Sequence, residues 1–196
     1  MGWFRKREKT LQEQFASIEG SLEGRIDLDD DGEREWRVYG GEEPPAPEDV
    51  EVLDMAILSF LAREYESIEK IDDYFNTHTA LSVENHFRHW AYEAFSGYDG
   101  VDAPYKGLCI LLLEKAKHLE TLKFAMLLAR FFDVFSAPRA RELITSYGRH
   151  PAMTYYAILV YGEIPRGQGE LAEIGRTTYG RGKDFIATYV RRCIES

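Results

Sequence analysis

From Glu48 onward, apolar residues recur at helical spacing in one segment after another, and prolines and glycines separate the segments. This pattern constrains the chain most, because a stripe at i, i+3, i+4, i+7 can be buried only as one face of a helix. Val50, Leu53, Ile57, Leu58, Leu61 and Tyr65 predict a helix over about 48–66 with these residues buried. Pro47 suits its first turn, and Glu48, Asp49 and Glu51 suit the positive end of its dipole. A shorter helix follows at about 67–76. Ser82 then serves as the cap of a helix over 83–95, whose apolar face is Val83, Phe87, Trp90, Ala91, Ala94 and Phe95.

After a loop at 97–100, helices at 103–117 and 119–135 hold the most apolar part of the chain. A helix apolar nearly all round is covered on several sides, so these two are expected to be central. Arg130 and Asp133 interrupt the second and are placed to pair at i, i+3. Pro138 opens a helix to Gly148, and Pro151 opens one through Tyr161. A turn-rich break spans 162–169. The last helix, 183–195, carries Phe185, Ile186, Tyr189, Val190, Cys193 and Ile194 on one side.

The first 47 residues read differently. Leu11, Phe15, Ile18 and Leu22 mark a narrow stripe on a polar helix over 6–22. At 25–39 the period changes to two: Ile26 and Leu28 alternate with charged residues, as do Trp36 and Val38. A three-residue Asp30-Asp31-Gly32 loop would pair Ile26 with Trp36, with Gly32 left-handed, which makes this segment a β-hairpin. Pro44, Pro45 and Pro47 mark a linker. The expected fold is therefore mainly α: a single compact helical bundle or a short helical-hairpin stack, with one small N-terminal β-hairpin. Residues 1–47 form the helix, acidic hairpin and Pro-rich linker, and 48–196 form an all-α helical domain.

The charge is concentrated. The net −10 of the 196 residues comes from Asp27–Asp54, where twelve acids face only Arg34 and Arg37; the remainder holds 22 acids and 22 bases. Such a run acts either as a solvated face or as a steering surface for a basic partner. On the second reading the candidate partner-binding residues are Asp29, Asp30, Asp31, Glu33, Glu42 and Glu43.

Other motifs fall short of their chemistry. Asp27 to Gly32 matches the first half of an EF-hand loop, but position twelve is Val38 where a bidentate Glu is required. His86, His89 and Glu93 share a helix side, yet that side points away from its apolar face, towards solvent or a neighbour's flank. His78, His118 and His150 stand at or near helix ends, as caps or surface residues. Gly180-Arg181-Gly182-Lys183 lacks the upstream glycine, the following Ser or Thr and the preceding strand of a phosphate loop. Tyr147, Tyr155, Tyr156, Tyr161 and Tyr179 lie among Arg149, Arg166, Arg176 and Arg181, but this fits core-rim tyrosines with wetted hydroxyls better than nucleic-acid binding.

Cys109 and Cys193 form no CxxC pair, which suits reduced thiols in a cytoplasmic protein. The longest uncharged run, Ala152–Gly162, falls short of the ~20 residues of a spanning helix, and no secretory leader is expected. No catalytic, cofactor or metal residues are singled out. The expected function is a non-enzymatic interaction module whose acidic surface binds a basic protein, in its most concrete form a toxin-neutralising immunity protein or an inhibitor. The alternatives are a scaffold or adaptor subunit using an apolar helix face, and a helical-bundle enzyme with a site assembled from distant residues.

Overall fold

The computed structural model describes residues 31–96 and 102–195. Within them the chain forms ten α-helices, three short 3₁₀ turns and no strand. The helices are α1 (Glu33–Tyr39), α2 (Val50–Leu61), α3 (Ser67–Tyr74), α4 (Ala80–Ser96), α5 (Asp102–Lys115), α6 (Leu119–Leu128), α7 (Pro138–Tyr147), α8 (Pro151–Tyr161), α9 (Gln168–Thr177) and α10 (Arg181–Glu195). Among the described residues no helix is long and apolar enough to cross a membrane.

Two helices make the centre. α6 is buried all round from Thr121 to Leu128, and in α8 only Leu159 escapes full burial. They pack on each other; α4 and α5 cover α6, while α1, α7, α9 and α10 cover α8. The expectation for 119–135 holds as far as Leu128. There the chain tightens into 3₁₀ turns at Ala129–Phe131 and Val134–Ser136, with Phe132 extended between them. That kink separates Arg130 from Asp133, so the expected pair does not form. Arg130 meets Glu84 at 3.1 Å, and Asp133 meets Arg166 at 2.9 Å. The other central helix is α8 rather than α5, which buries one face through Tyr105, Leu108, Cys109, Leu112 and Leu113.

The β-hairpin is corrected where it can be seen. Residues 33–39, expected as its second strand, are the helix α1; the first strand, like the expected helix over 6–22, lies outside the described residues. Gly32 does take the left-handed conformation, with φ +84°, but its carbonyl accepts the Trp36 N–H at 2.9 Å and so opens a helix. Four alternating residues are too few to separate the two periods. In the helical form Trp36 and Tyr39, three apart, both reach the Phe185 ring, at 5.2 and 5.6 Å.

α4 starts at Ala80, ahead of the expected Ser82 cap: Thr79 Oγ1 accepts the Ser82 N–H at 3.3 Å, and Glu120 accepts the Ala80 N–H at 2.8 Å. α9 falls partly in the expected break and partly beyond it. It buries only Leu171 and Ile174 and contains Gly169 and Gly175, too weak a stripe to read from sequence.

Four of the five tyrosines are core rather than rim, while Tyr179 is exposed. Tyr147, Tyr155, Tyr156 and Tyr161 are buried, and their hydroxyls bond to protein groups: Tyr147 to the Leu113 carbonyl at 2.8 Å, Tyr161 to the Arg141 carbonyl at 3.0 Å. Burial pushes all four hydroxyls well above the usual tyrosine range.

Candidate functional site

Of the twelve acids in the Asp27–Asp54 run, several are consumed by the fold. Glu35 points inward from α1 and is wholly buried, as is Lys123 on α6. The Lys123 ammonium donates to Glu35 Oε1 at 2.8 Å and to Glu120 Oε1 at 3.0 Å, and the Tyr156 hydroxyl adds a bond to Glu35 at 3.1 Å. A charge out of water requires such partners, because the lost hydration is worth several kcal/mol per ion. Asp54 on α2 meets His86 on α4 at 2.9 Å, and Asp49 meets His78 at 3.1 Å, which brings the start of α2 beside the end of α3.

The candidate partner-binding residues divide in the same way. Asp29 and Asp30 lie outside the described residues. Asp31 is exposed and accepts the Glu33 N–H at 3.1 Å. Glu33 pairs with Arg181, whose guanidinium also lies 5.3 Å over the Trp36 ring. Glu42 faces Arg37 at 3.7 Å, and Glu43 is exposed. Of the four described residues, Glu33 and Glu42 already have a cation.

The exposed negative charge lies further along. Residues 42–73 hold eleven acids against Arg63 and Lys70, a net of −9. Asp72 is spent within the fold, accepting the Lys117 N–H at 3.2 Å and the Thr121 hydroxyl at 2.6 Å, where it caps the entry to α6. Glu43, Glu48, Glu51, Glu64, Glu66, Glu69 and Asp73 are exposed, and among the described residues they enter no ion pair.

An apolar stripe runs through these acids. Leu53, Ala56, Ile57 and Phe60 turn one side of α2 to the core. The other side shows Val52, Met55 and Leu58, which are 55%, 63% and 45% exposed, and Tyr65 just beyond is 60% exposed. Leu58 and Tyr65 were expected on the buried face; Tyr65 instead follows the end of α2 and rests on Phe60 only edge-on, at 5.3 Å. Val52 and Met55 fall outside the core stripe, and an excess of apolar residues on the polar side of the helical wheel was the available signal.

The remaining candidates have structural occupations. His86 is tied to Asp54, while His89 and Glu93 are exposed, and no group of three His, Cys, Asp or Glu among the described residues is set to hold a metal. His150 caps α8, its Nδ1 accepting the Ala152 N–H at 3.3 Å. Gly182 is needed for packing: a Cβ there would stand 2.0 Å from the Thr178 hydroxyl and 2.7 Å from that of Thr154. Comparison of the chain with family models, with curated proteins and with solved structures finds no match.

Proposed function

We propose that this chain is a non-enzymatic protein-interaction module whose acidic α2–α3 end receives a basic protein partner. An immunity protein or an inhibitor acting by charge mimicry is the most concrete form. One observation carries the reading: seven exposed acids fall within residues 43–73, and no cation among the described residues pairs with them. Concentrated charge of one sign raises the rate of encounter with its opposite more than it raises affinity. The same surface repels nucleic-acid phosphates, so the partner is a protein. Asp29, Asp30, Asp31, Glu33, Glu42 and Glu43 stay in this reading as acids of the same run of sequence. A cytoplasmic setting goes with it, since Cys109 is buried and the sequence holds no CxxC pair.

A second reading, an adaptor working through an apolar helix face, is favoured by the exposed Val52, Met55 and Leu58. Association kinetics with the affinity-captured partner, at low and high salt, separate the two. Converting Glu43, Glu48, Glu51, Glu64, Glu66, Glu69 and Asp73 to amides should slow association and flatten its salt dependence, because exposed charges act within a Debye length of ~8 Å at physiological salt. Neutralising Asp29, Asp30, Asp31, Glu33 and Glu42 should slow it less, as Glu33 and Glu42 already have cations. Unchanged on-rates at both salt levels would discard the acidic-surface reading in favour of the adaptor.

A further inference from the structure

We propose that the partner element is a cationic amphipathic helix lying along the outward face of α2. This inference rests on the acidic-surface reading and narrows it to one kind of ligand.

The face has a defined layout. Glu51, Val52, Met55 and Leu58 stand at i, i+1, i+4 and i+7, so they share the side of α2 opposite its core contacts, and Glu48 lies exposed in the turn just before the helix. From Val52 to Leu58 the stripe is about 9 Å long at 1.5 Å per residue, which matches the anchors of two turns of a docked helix. Two partner types are poor complements. A purely charged, flexible segment would leave three large apolar side chains in water. A purely apolar surface would strip water from Glu48 and Glu51 and return nothing. An apolar stripe edged by Lys and Arg answers both parts of the face at once. Among the described residues there is no strand edge for an extended peptide to join, whereas a helix surface offers ridges and grooves for i, i+3, i+4, i+7 anchors.

The test uses the full chain and three synthetic peptides of equal length: a Leu/Lys sequence of helical period, the same composition scrambled, and a Leu/Glu counterpart. Fluorescence anisotropy should show the Leu/Lys helix binding at least tenfold more tightly than the scrambled peptide, with no binding of the Leu/Glu peptide. Met55→Glu should weaken the Leu/Lys helix at least tenfold while leaving the thermal melt in place, since Met55 packs little. Val52→Glu provides a second variant with the same expected result. Equal binding of the scrambled peptide, or indifference to both variants, would overturn the inference and leave the acidic surface as a charge-only site. If, in addition, the amide variant bound cationic peptides as well as the parent, the broader reading would fall too. Self-association in sedimentation that Met55→Glu dissolves would assign the face to a second copy and overturn the proposal.

Discussion

Lys123 is wholly buried on α6, and a buried ammonium is tolerated only where carboxylates replace its water. Glu35 supplies one of them from 88 positions away. Replacing Glu35 with Ala leaves the ammonium short of a partner, and breaking a buried pair from one side costs about 3–5 kcal/mol. The variant should therefore show a clear fall in its urea midpoint. Glu35→Leu combined with Lys123→Met removes both charges and should recover most of that loss, since an apolar replacement of a buried pair is often close to neutral. A single variant as stable as the parent would mean that water reaches the pair. Neither residue announced itself. Glu35 is one acid in an acidic run and Lys123 one base in an apolar one, and the partnership depends on α1 being a helix that packs against α8.

At the level of the element, α2 shows how a terminus is decided locally. Its end is a Schellman motif: the Glu64 N–H bonds to the Ser59 carbonyl and the Arg63 N–H to that of Phe60, both at 2.9 Å. The motif needs a left-handed residue, and Arg63 fills that place with φ 74°. A side chain held there costs about 1–2 kcal/mol that glycine avoids, against which glycine loses more entropy on folding. Arg63→Gly should thus stabilise by about 0.5–1 kcal/mol, a rise of about 2 °C in Tm for a chain of this size. The melt is best taken at high salt, where loss of the cation beside Glu64 and Glu66 matters least. Arg63→Ala should give no such gain, and equal melts for the two variants would refute the argument. Other elements were less legible. The period-two residues around Trp36 and Val38 suit a strand and a short helix equally, and α9 has too few apolar positions to leave a pattern.

Taken whole, the molecule stores part of its stability in tyrosines. Burial holds the hydroxyls of Tyr105, Tyr147, Tyr155, Tyr156 and Tyr161 well above their ordinary range, while in an unfolded chain they ionise near pH ~10. The folded form then binds more protons than the unfolded form above that pH, so stability is complete below pH ~10 and is lost as the pH rises through the raised values. The urea midpoint should hold steady on the neutral side and decline in alkali, and tyrosinate absorbance from the buried rings should appear only as helical dichroism disappears. Full ionisation with the dichroism intact would contradict this. The sequence alone determined the all-helical class from residue 48 onward and the Pro138 and Pro151 helix starts, because period and proline geometry act within a few turns of chain. Only the tertiary structure decided that 33–39 is helix, that Tyr147, Tyr155, Tyr156 and Tyr161 are buried, that α8 is central, and which acids stay in the open. Those outcomes turn on what each element packs against, and burial and ion pairing are properties of two surfaces in contact, of which a local stretch of sequence specifies one.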